Sequence, residues 1–471
     1  MLKKLFSHTA IYGLAPQITK VASFFSLPLI TQELTELDYG VAGVLTAYTS
    51  ALAVLSILGM RVVLVNAFFK SPQQYKWGWR QIYGFLTMWN IVYGILLGAL
   101  IFLIVPSEAN DDRLLITVLH IGPIIFFGPT ANICSTYYQL RQKPLQIAVR
   151  SIIFGFLAIG LNILFIVYYK MGYMGWFWSA FLVGIFNNLS FYYPLNYILK
   201  LKPIFNFKWR YLKSSLKVSL PMVPHYYSGY LLENSDKMVM DLSGINTGNI
   251  GKYNVAYTVG KFTNSLGMAS GLAIGPMLIK YYKEGNDLEA SRLVFILQIA
   301  FFCITTLLSL WMKEAFAFLI RNEVLASMYY LGIIIVMAYN YRPMYLGFST
   351  KTMYNEKTSI MWRVTFGAGI INVLLNVILL PIYGFEVAAI TTFIAYMFMG
   401  YAGYYFKMFK EINTISYYPI LWLGGTVVST IFVFFAVELL VLYKLIISFL
   451  IITVGGFAIY FLNRKLNGLS K

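Results

Sequence analysis

The feature that most constrains this chain is a series of apolar runs of membrane-spanning length, the first of which is HTAIYGLAPQITKVASFFSLPLITQ at residues 8–32. A bilayer core of about 30 Å takes roughly 20 apolar residues as a helix. Runs of that kind recur near 40–66, 81–105, 114–139, 147–169, 174–199, 213–240, 250–279, 292–312, 324–349, 359–381, 386–406, 416–437 and 441–462. The connections between them, such as ELTELD, KSPQQYKWGWR and KLKPIFNFKWRYLK, are too short to hold a soluble domain. The expected fold class is therefore an all-α polytopic membrane protein with 14 transmembrane helices. With 59% hydrophobic and 11% charged residues and a mean hydropathy of +0.69, an ordinary soluble globule is excluded. The opening MLKK precedes a run of about 25 residues without an A-x-A-like cleavage site, so that run reads as a retained helix rather than a signal peptide.

A formal net charge of +18 would suggest nucleic acid in a soluble chain. In a membrane chain the positive-inside rule explains it instead, so no nucleic-acid partner is expected. With the N-terminus placed inside, 25 of the 36 basic residues fall on the cytoplasmic side and seven on the other, where Glu33, Glu36, Asp38, Glu108, Asp111 and Asp112 also lie. Cytoplasmic termini follow. Four basic residues remain within spans: Lys20, Arg61, Lys261 and Arg342.

Lys20 lies about 18 Å into the first run at 1.5 Å per residue. A cation at such depth costs at least about 2.5–3.5 kcal/mol and usually faces a bundle interior or a wet cavity. Lys261 occupies a similar depth in the eighth run. Arg61 is nearer the cytoplasmic end and able to snorkel, whereas Arg342 is deeper and precedes Pro343, which is expected to kink the tenth helix. No acid lies centrally in any span, so these cations call for an anionic ligand. A planar guanidinium suits paired phosphate oxygens, and a lysine supplies a mobile point charge. The alternative is a lysine buried neutral or held structurally by Tyr and backbone groups.

Glu233, Asp236 and Lys237 fall near the outer end of the seventh helix. Glu233 and Lys237, spaced i, i+4, suit a structural pair, and the trio is also a candidate outer gate or ion-coupling site. Tyr226 and Tyr230 in the seventh helix and Tyr339 and Tyr341 in the tenth are candidate sugar contacts, weighed against the interfacial anchoring usual for Tyr. Asn162, Asn187, Asn188, Asn372 and Asn376 suit interhelical hydrogen bonds. Pro16, Pro28, Pro123, Pro129, Pro221, Pro224, Pro276 and Pro343 are candidate helix interruptions. His8, His120 and His225 are too scattered for a triad or metal set, and Cys134 and Cys303 lie in apolar runs as small packing residues. No catalytic residue, cofactor or metal is implied, and the chain is not expected to be an enzyme.

The halves of the chain match faintly: Pro16 has a counterpart in Pro224, and Tyr39-Gly40 one in Gly251, 211 residues after Gly40. LPLITQELTELDYGVAGVLTA resembles the P-x-x-T-x-x-L-x-x-x-x-Y-G passage of bacterial polysaccharide exporters. SLPMVPHYYSGYLLENSDKMVMDLSGINTGNIGKYNVAYTVG, residues 219–260, resembles their passage from helix 7 to helix 8, with Asp236-Lys237 as its acid–base pair and Gly251, Tyr253, Ala256 and Tyr257 as its G-x-Y-x-x-A-Y run. The family is that of the O-antigen and capsule flippases of the multidrug/oligosaccharidyl-lipid/polysaccharide superfamily.

That resemblance implies two pseudo-symmetric six-helix lobes around a central cavity, residues 1–205 and 206–410, with 411–471 adding two helices and a cytoplasmic tail. It implies a flippase of the bacterial inner membrane that carries an undecaprenyl-diphosphate-linked oligosaccharide, an O-antigen or capsule repeat unit, to the outer leaflet by alternating access. Expected partners are that glycan, membrane lipids, a proton or sodium ion, and glycan polymerase or chain-length regulator proteins. Lys20, Arg61, Lys261 and Arg342 fit the cationic lumen of the family. The rivals are a multidrug antiporter of the same fold, which needs buried carboxylates, and a membrane polymerase or acyltransferase, which needs a large outer loop or a catalytic His.

Overall fold

A computed structural model of the protein describes residues 2–357 and 359–468, with side chains described at all of these except 2–16, 225 and 465–468. The chain forms two compact units, Met1–Tyr230 with Asn246–Gly251, and Leu231–Ile245 with Lys252–Lys471. Every described residue outside turns and loops is helical. In order, the helices of the first unit are α1 (Leu2–Gln32), α2 (Glu36–Ala53), α3 (Arg61–Lys70), α4 (Tyr75–Ile104), α5 (Arg113–Phe127), α6 (Thr130–Leu140), α7 (Pro144–Asn162), α8 (Tyr173–Tyr193) and α9 (Trp209–Ser219), followed by α10 (Val223–Glu233), which leads out of it. Next come α11 (Ser235–Leu242), α12 (Thr247–Lys283), α13 (Asp287–Leu310), α14 (Met312–Leu319), α15 (Glu323–Ala326), α16 (Tyr329–Ala338), α17 (Tyr341–Tyr354), α18 (Ser359–Tyr383), α19 (Val387–Tyr401), α20 (Lys407–Ile412), α21 (Pro419–Ala436) and α22 (Val441–Gly468).

Nine helical stretches among the described residues are long and apolar enough to cross a membrane, or ten if the bent pair Ser107–Phe127 and Thr130–Leu140 counts as one span. The other expected spans, 8–32, 174–199, 213–240 and 324–349, are also helical, the last two in pieces. Such breaks are tolerable in hydrocarbon only where the freed backbone groups find partners. At the break between α16 and α17, fully buried Asn340 takes a hydrogen bond on its carbonyl from Gln298 Nε2 at 3.1 Å, and its side chain donates to Thr305 Oγ1 at 2.8 Å. Both partners lie on α13, so the gap is closed by its neighbour.

These breaks correct several expectations. The second run is not one regular helix: α2 gives way to a 3-10 turn, and Leu58 (φ 47°) and Gly59 (φ 67°) take left-handed backbone before Arg61 opens α3. The tenth run bends before Pro343 rather than at it, because Pro343 sits in the first turn of α17, where a missing N–H is harmless. Pro16, Pro28 and Pro276 lie inside continuous helices. Glu233 ends α10, Asn234 is non-helical and Ser235 opens α11, so Glu233 and Lys237 do not share a helix face and form no ion pair.

The passage ELTELDYG is explained by its contacts. Thr35 and Asp38 form a capping box at the start of α2, with the Thr35 N–H donating to Asp38 Oδ2 at 2.8 Å. The other oxygen of Asp38 accepts the Tyr173 N–H at 2.8 Å and so fixes the start of α8. One turn on, the α2 backbone crosses the start of α12: a Cβ at Gly40 would strike the Thr247 carbonyl, and one at Gly251 would strike that of Glu36. Glycine is required at both, and the two positions paired by the faint sequence repeat touch each other. In the second unit α21 and α22 pack on α13, through Thr306 and Ser429 hydroxyls 3.1 Å apart and a 2.9 Å bond from Trp311 Nε1 to Ser448 Oγ.

Backbone cannot retreat as a side chain can, so Gly251→Val is expected to cost about 1–3 kcal/mol or more. Thermal melting in detergent should show a clear drop in Tm for Gly251→Val and almost none for Gly160→Ala, whose Cβ would meet nothing within 4 Å.

Candidate substrate and ion site

In the second unit, Asp236 and Lys237 are adjacent on the short helix α11, and both are 1% exposed. Successive helix positions diverge by about 100°, so the two side chains enter different environments. Asp236 accepts four hydrogen bonds: Oδ1 from Asn372 Nδ2 (2.7 Å) and Asn376 Nδ2 (2.8 Å), and Oδ2 from Tyr253 Oη (2.6 Å) and Thr392 Oγ1 (2.8 Å). Asn376 Oδ1 in turn accepts from Thr391 Oγ1 at 2.5 Å, and Asn372 Oδ1 from Asn376 Nδ2 at 3.1 Å. The result is an oxygen-rich knot joining α11, α12, α18 and α19. Asn372 and Asn376, one turn apart on α18, do form the interhelical bonds expected of them, but to a carboxylate. The interior of this unit therefore does hold a buried acid, satisfied by neutral donors.

Lys237 turns the other way. Its Nζ donates to Asn254 Oδ1 at 3.3 Å and lies 5.2 Å from the centre of the Tyr257 ring. Lys261, one turn further along α12, places its Nζ 5.1 Å from the same ring. Two ammonium groups thus use one aromatic ring. The Tyr257 hydroxyl is 3.4 Å from that of Tyr396, whose ring stacks on Tyr341 with centroids 4.7 Å apart and 12° between planes. The Arg342 guanidinium lies 5.3 Å from the Tyr341 ring, bonds to Asn264 Oδ1, and keeps its Nε buried with no acceptor. Tyr339 packs on Tyr396 at 5.5 Å. An aromatic wall of Tyr257, Tyr396 and Tyr341 therefore connects three cations. Half-buried Glu233 is near enough to act electrostatically on Lys237 and Arg342.

The remaining candidates lie in the first unit, apart from Cys303. Lys20 is exposed on α1, the helix whose Thr19 meets Gly155 of α7. Arg61 is exposed, donates to Gln139 Oε1 at 2.6 Å and lines a cavity of about 80 Å³ with Asn132, Ser135 and Thr136. Tyr226 is 41% exposed, and Tyr230 sits edge-on to Tyr227 at 6.3 Å. His120 bonds to the Ile116 carbonyl at 2.8 Å, and the side chains of His8 and His225 are outside the described residues. Cys134 is buried and Cys303 partly buried, both free. Among the described residues no group of three or more His, Cys, Asp or Glu is placed to hold a metal. Sequence reading named Lys261, Arg342, Tyr339 and Tyr341 but missed Tyr396 and Asn264; the i, i+4 spacing of Tyr253, Tyr257 and Lys261 was the available signal.

A family described as polysaccharide biosynthesis protein matches residues 5–282. The chain belongs to that family. None of the curated proteins matches it in sequence. Among solved structures, this polysaccharide biosynthesis family member shares its fold with a lipid II flippase, MurJ, in an inward closed conformation (TM-score 0.74, 13% identity, covering 97% of this chain and 99% of that one). A eukaryotic MATE transporter, AtDTX14, matches with a TM-score of 0.57 at 13% identity over 92% and 98% of the two chains. A transporter of the MOP superfamily from Pyrococcus furiosus matches at 0.52 and 15% over 88% and 96%.

Replacing Asp236 by Ala would strand four buried donors at about 1–3 kcal/mol each. Asp236→Ala should lower Tm in detergent far more than Thr391→Val, which removes one donor at the edge of the knot. Equal, small effects would show that Asp236 is not the hub.

Proposed function

We propose that this protein is a flippase that moves an undecaprenyl-diphosphate-linked oligosaccharide, an O-antigen or capsule repeat unit, from the cytoplasmic to the outer leaflet of the bacterial inner membrane. The observation that carries this reading is the row of three cations, Lys237, Lys261 and Arg342, along one tyrosine wall. A diphosphate suits a row of closely spaced cations, and the tyrosine faces suit sugar rings. Lys20 and Arg61 supply further positive charge from the first half, and Tyr226 and Tyr230 further sugar contacts. Fourteen spans in two six-helix lobes, 1–205 and 206–410, with 411–471 appended and both termini cytoplasmic, suit rocking between inward-open and outward-open states. The prenyl tail stays in lipid while the polar head crosses a wet cavity. Glycan polymerase or chain-length regulator proteins are the natural recipients of the product. The lipid II flippase of the same fold supports a lipid-linked anionic cargo.

Asp236 with Asn372, Asn376, Thr391 and Thr392 is the ion-coupling centre in this reading. The carboxylate suits a proton, and sodium would bind only if the Asn372 and Asn376 amides turn their oxygens toward it. The same buried acid favours one rival, a multidrug antiporter like the MATE transporters that share the fold. Against it stands the excess of cations beside that acid. The Pyrococcus transporter is described as having a binding pocket of reverse polarity that suggests a different function, and the cationic row here fits such a reversal.

Replacing Lys20 and Lys261 together by Ala should abolish surface glycan while membrane levels stay normal. Full glycan in the double variant, or loss of resistance to lipophilic cations with glycan intact, would overturn the proposal.

A further inference from the structure

We propose that a cleft between α3, α4 and α9 binds the phosphate headgroup of an anionic phospholipid of the inner leaflet. The inference uses the cytoplasmic placement of these helix ends but not the identity of the transported cargo. The cleft has a volume of about 330 Å³, at the lower end of the roughly 300–1,000 Å³ of ligand pockets. Lys70 supplies its charge, Asn66, Ser71, Gln74 and Ser214 its hydrogen-bonding groups, and Trp77 and Tyr211, with ring centres 5.2 Å apart, an aromatic side.

Its walls are fixed. Trp79 Nε1 donates to the Leu64 carbonyl at 3.0 Å, tying α4 to α3. The connection into α9 is pinned to α4 by Arg80 Nε to the Lys202 carbonyl (2.9 Å), the Ile204 N–H to the Arg80 carbonyl (3.0 Å) and the Lys208 N–H to Gln81 Oε1 (2.7 Å). Helix α9 is amphipathic, with Leu212, Ser215 and Ser219 buried. By helical spacing Arg210 and Lys217, both exposed, flank Ser214 at the rim of the cleft.

Charge bookkeeping selects the ligand's sign. The sequence has no Asp or Glu between Asp38 and Glu108 or between Asp112 and Glu233. Lys70, Arg210 and Lys217 form no ion pair among the described residues, so their counter-charge comes from outside the chain. Exposed apolar side chains select a lipid over a free phosphate: Phe69 is 66% exposed, Trp209 57% and Val218 51%, all beside the cationic rim. A helix that shows cations on one face and bare apolar groups on another lies in the membrane interface, where basic residues next to the membrane attract anionic headgroups.

The test uses the full chain in neutral micelles. Tm is followed while short-chain phosphatidylglycerol, short-chain phosphatidylcholine or inorganic phosphate is added. Phosphatidylglycerol should raise Tm by several degrees and saturate, with no shift from the other two. Lys70→Gln with Lys217→Gln, both exposed side chains, should keep the starting Tm and lose most of that shift. An equal shift with phosphatidylcholine, an equal shift with inorganic phosphate, or an undiminished shift in the variant would each overturn the site. Because no glycan is transported in this assay, its failure leaves the flippase reading standing, and a failed flippase reading leaves the headgroup site standing.

Discussion

A charge carried into hydrocarbon must find its partner there, because water is not available to solvate it. Buried Asp236 finds its partners in the surrounding helices. Two amides and two hydroxyls from three helices converge on its oxygens, so the position of α11 is set by the carboxylate and by α12, α18 and α19 together. The neighbouring residue inherits the consequence. With Asp236 committed to the knot, Lys237 projects from the adjoining helix position onto Tyr257 and meets the Lys261 side of α12. An adjacent acid and base, which on a surface would neutralise each other loosely, here enter two different surroundings.

The same requirement explains the irregular helices. A straight α11 continuous with α10 would put Lys237 on the Glu233 face, and the break at Asn234 removes that option. At the break in the tenth span the Asn340 carbonyl accepts from Gln298, and Tyr339 and Tyr341 on either side of it both pack on Tyr396. Irregular backbone lies beside the charged residues, as expected where non-helical segments are tolerated only against protein partners or water.

Much of this was legible from residues alone, for a physical reason: hydropathy is local. Apolar runs located helices throughout, and the subtraction of loop cations left Lys20, Arg61, Lys261 and Arg342; the last two stand on the tyrosine wall, together with Lys237, which the subtraction had assigned to the outer side, while Lys20 and Arg61 are exposed. What hydropathy does not carry is where a run breaks. The turn at Leu58 and Gly59 and the gap at Asn340 depend on partners far away in sequence, so the second and tenth runs read as continuous. The bond between Asp236 and Thr392 spans 156 residues and could not be inferred from spacing. Gly40 and Gly251 show the middle ground. Their matched positions suggest a repeat, and in the fold they cross backbone against backbone.

The central claim is that cations in the membrane interior are there for a phosphorylated lipid carrier. Native mass spectrometry of the purified protein with two ligands, an undecaprenyl-diphosphate-linked oligosaccharide and the same glycan on an uncharged prenyl alcohol, tests it most directly. The account predicts retention of the diphosphate ligand, displaced by undecaprenyl diphosphate, with weak or no retention of the neutral one. Equal retention of both, or retention of lipophilic cations in place of either, would contradict it.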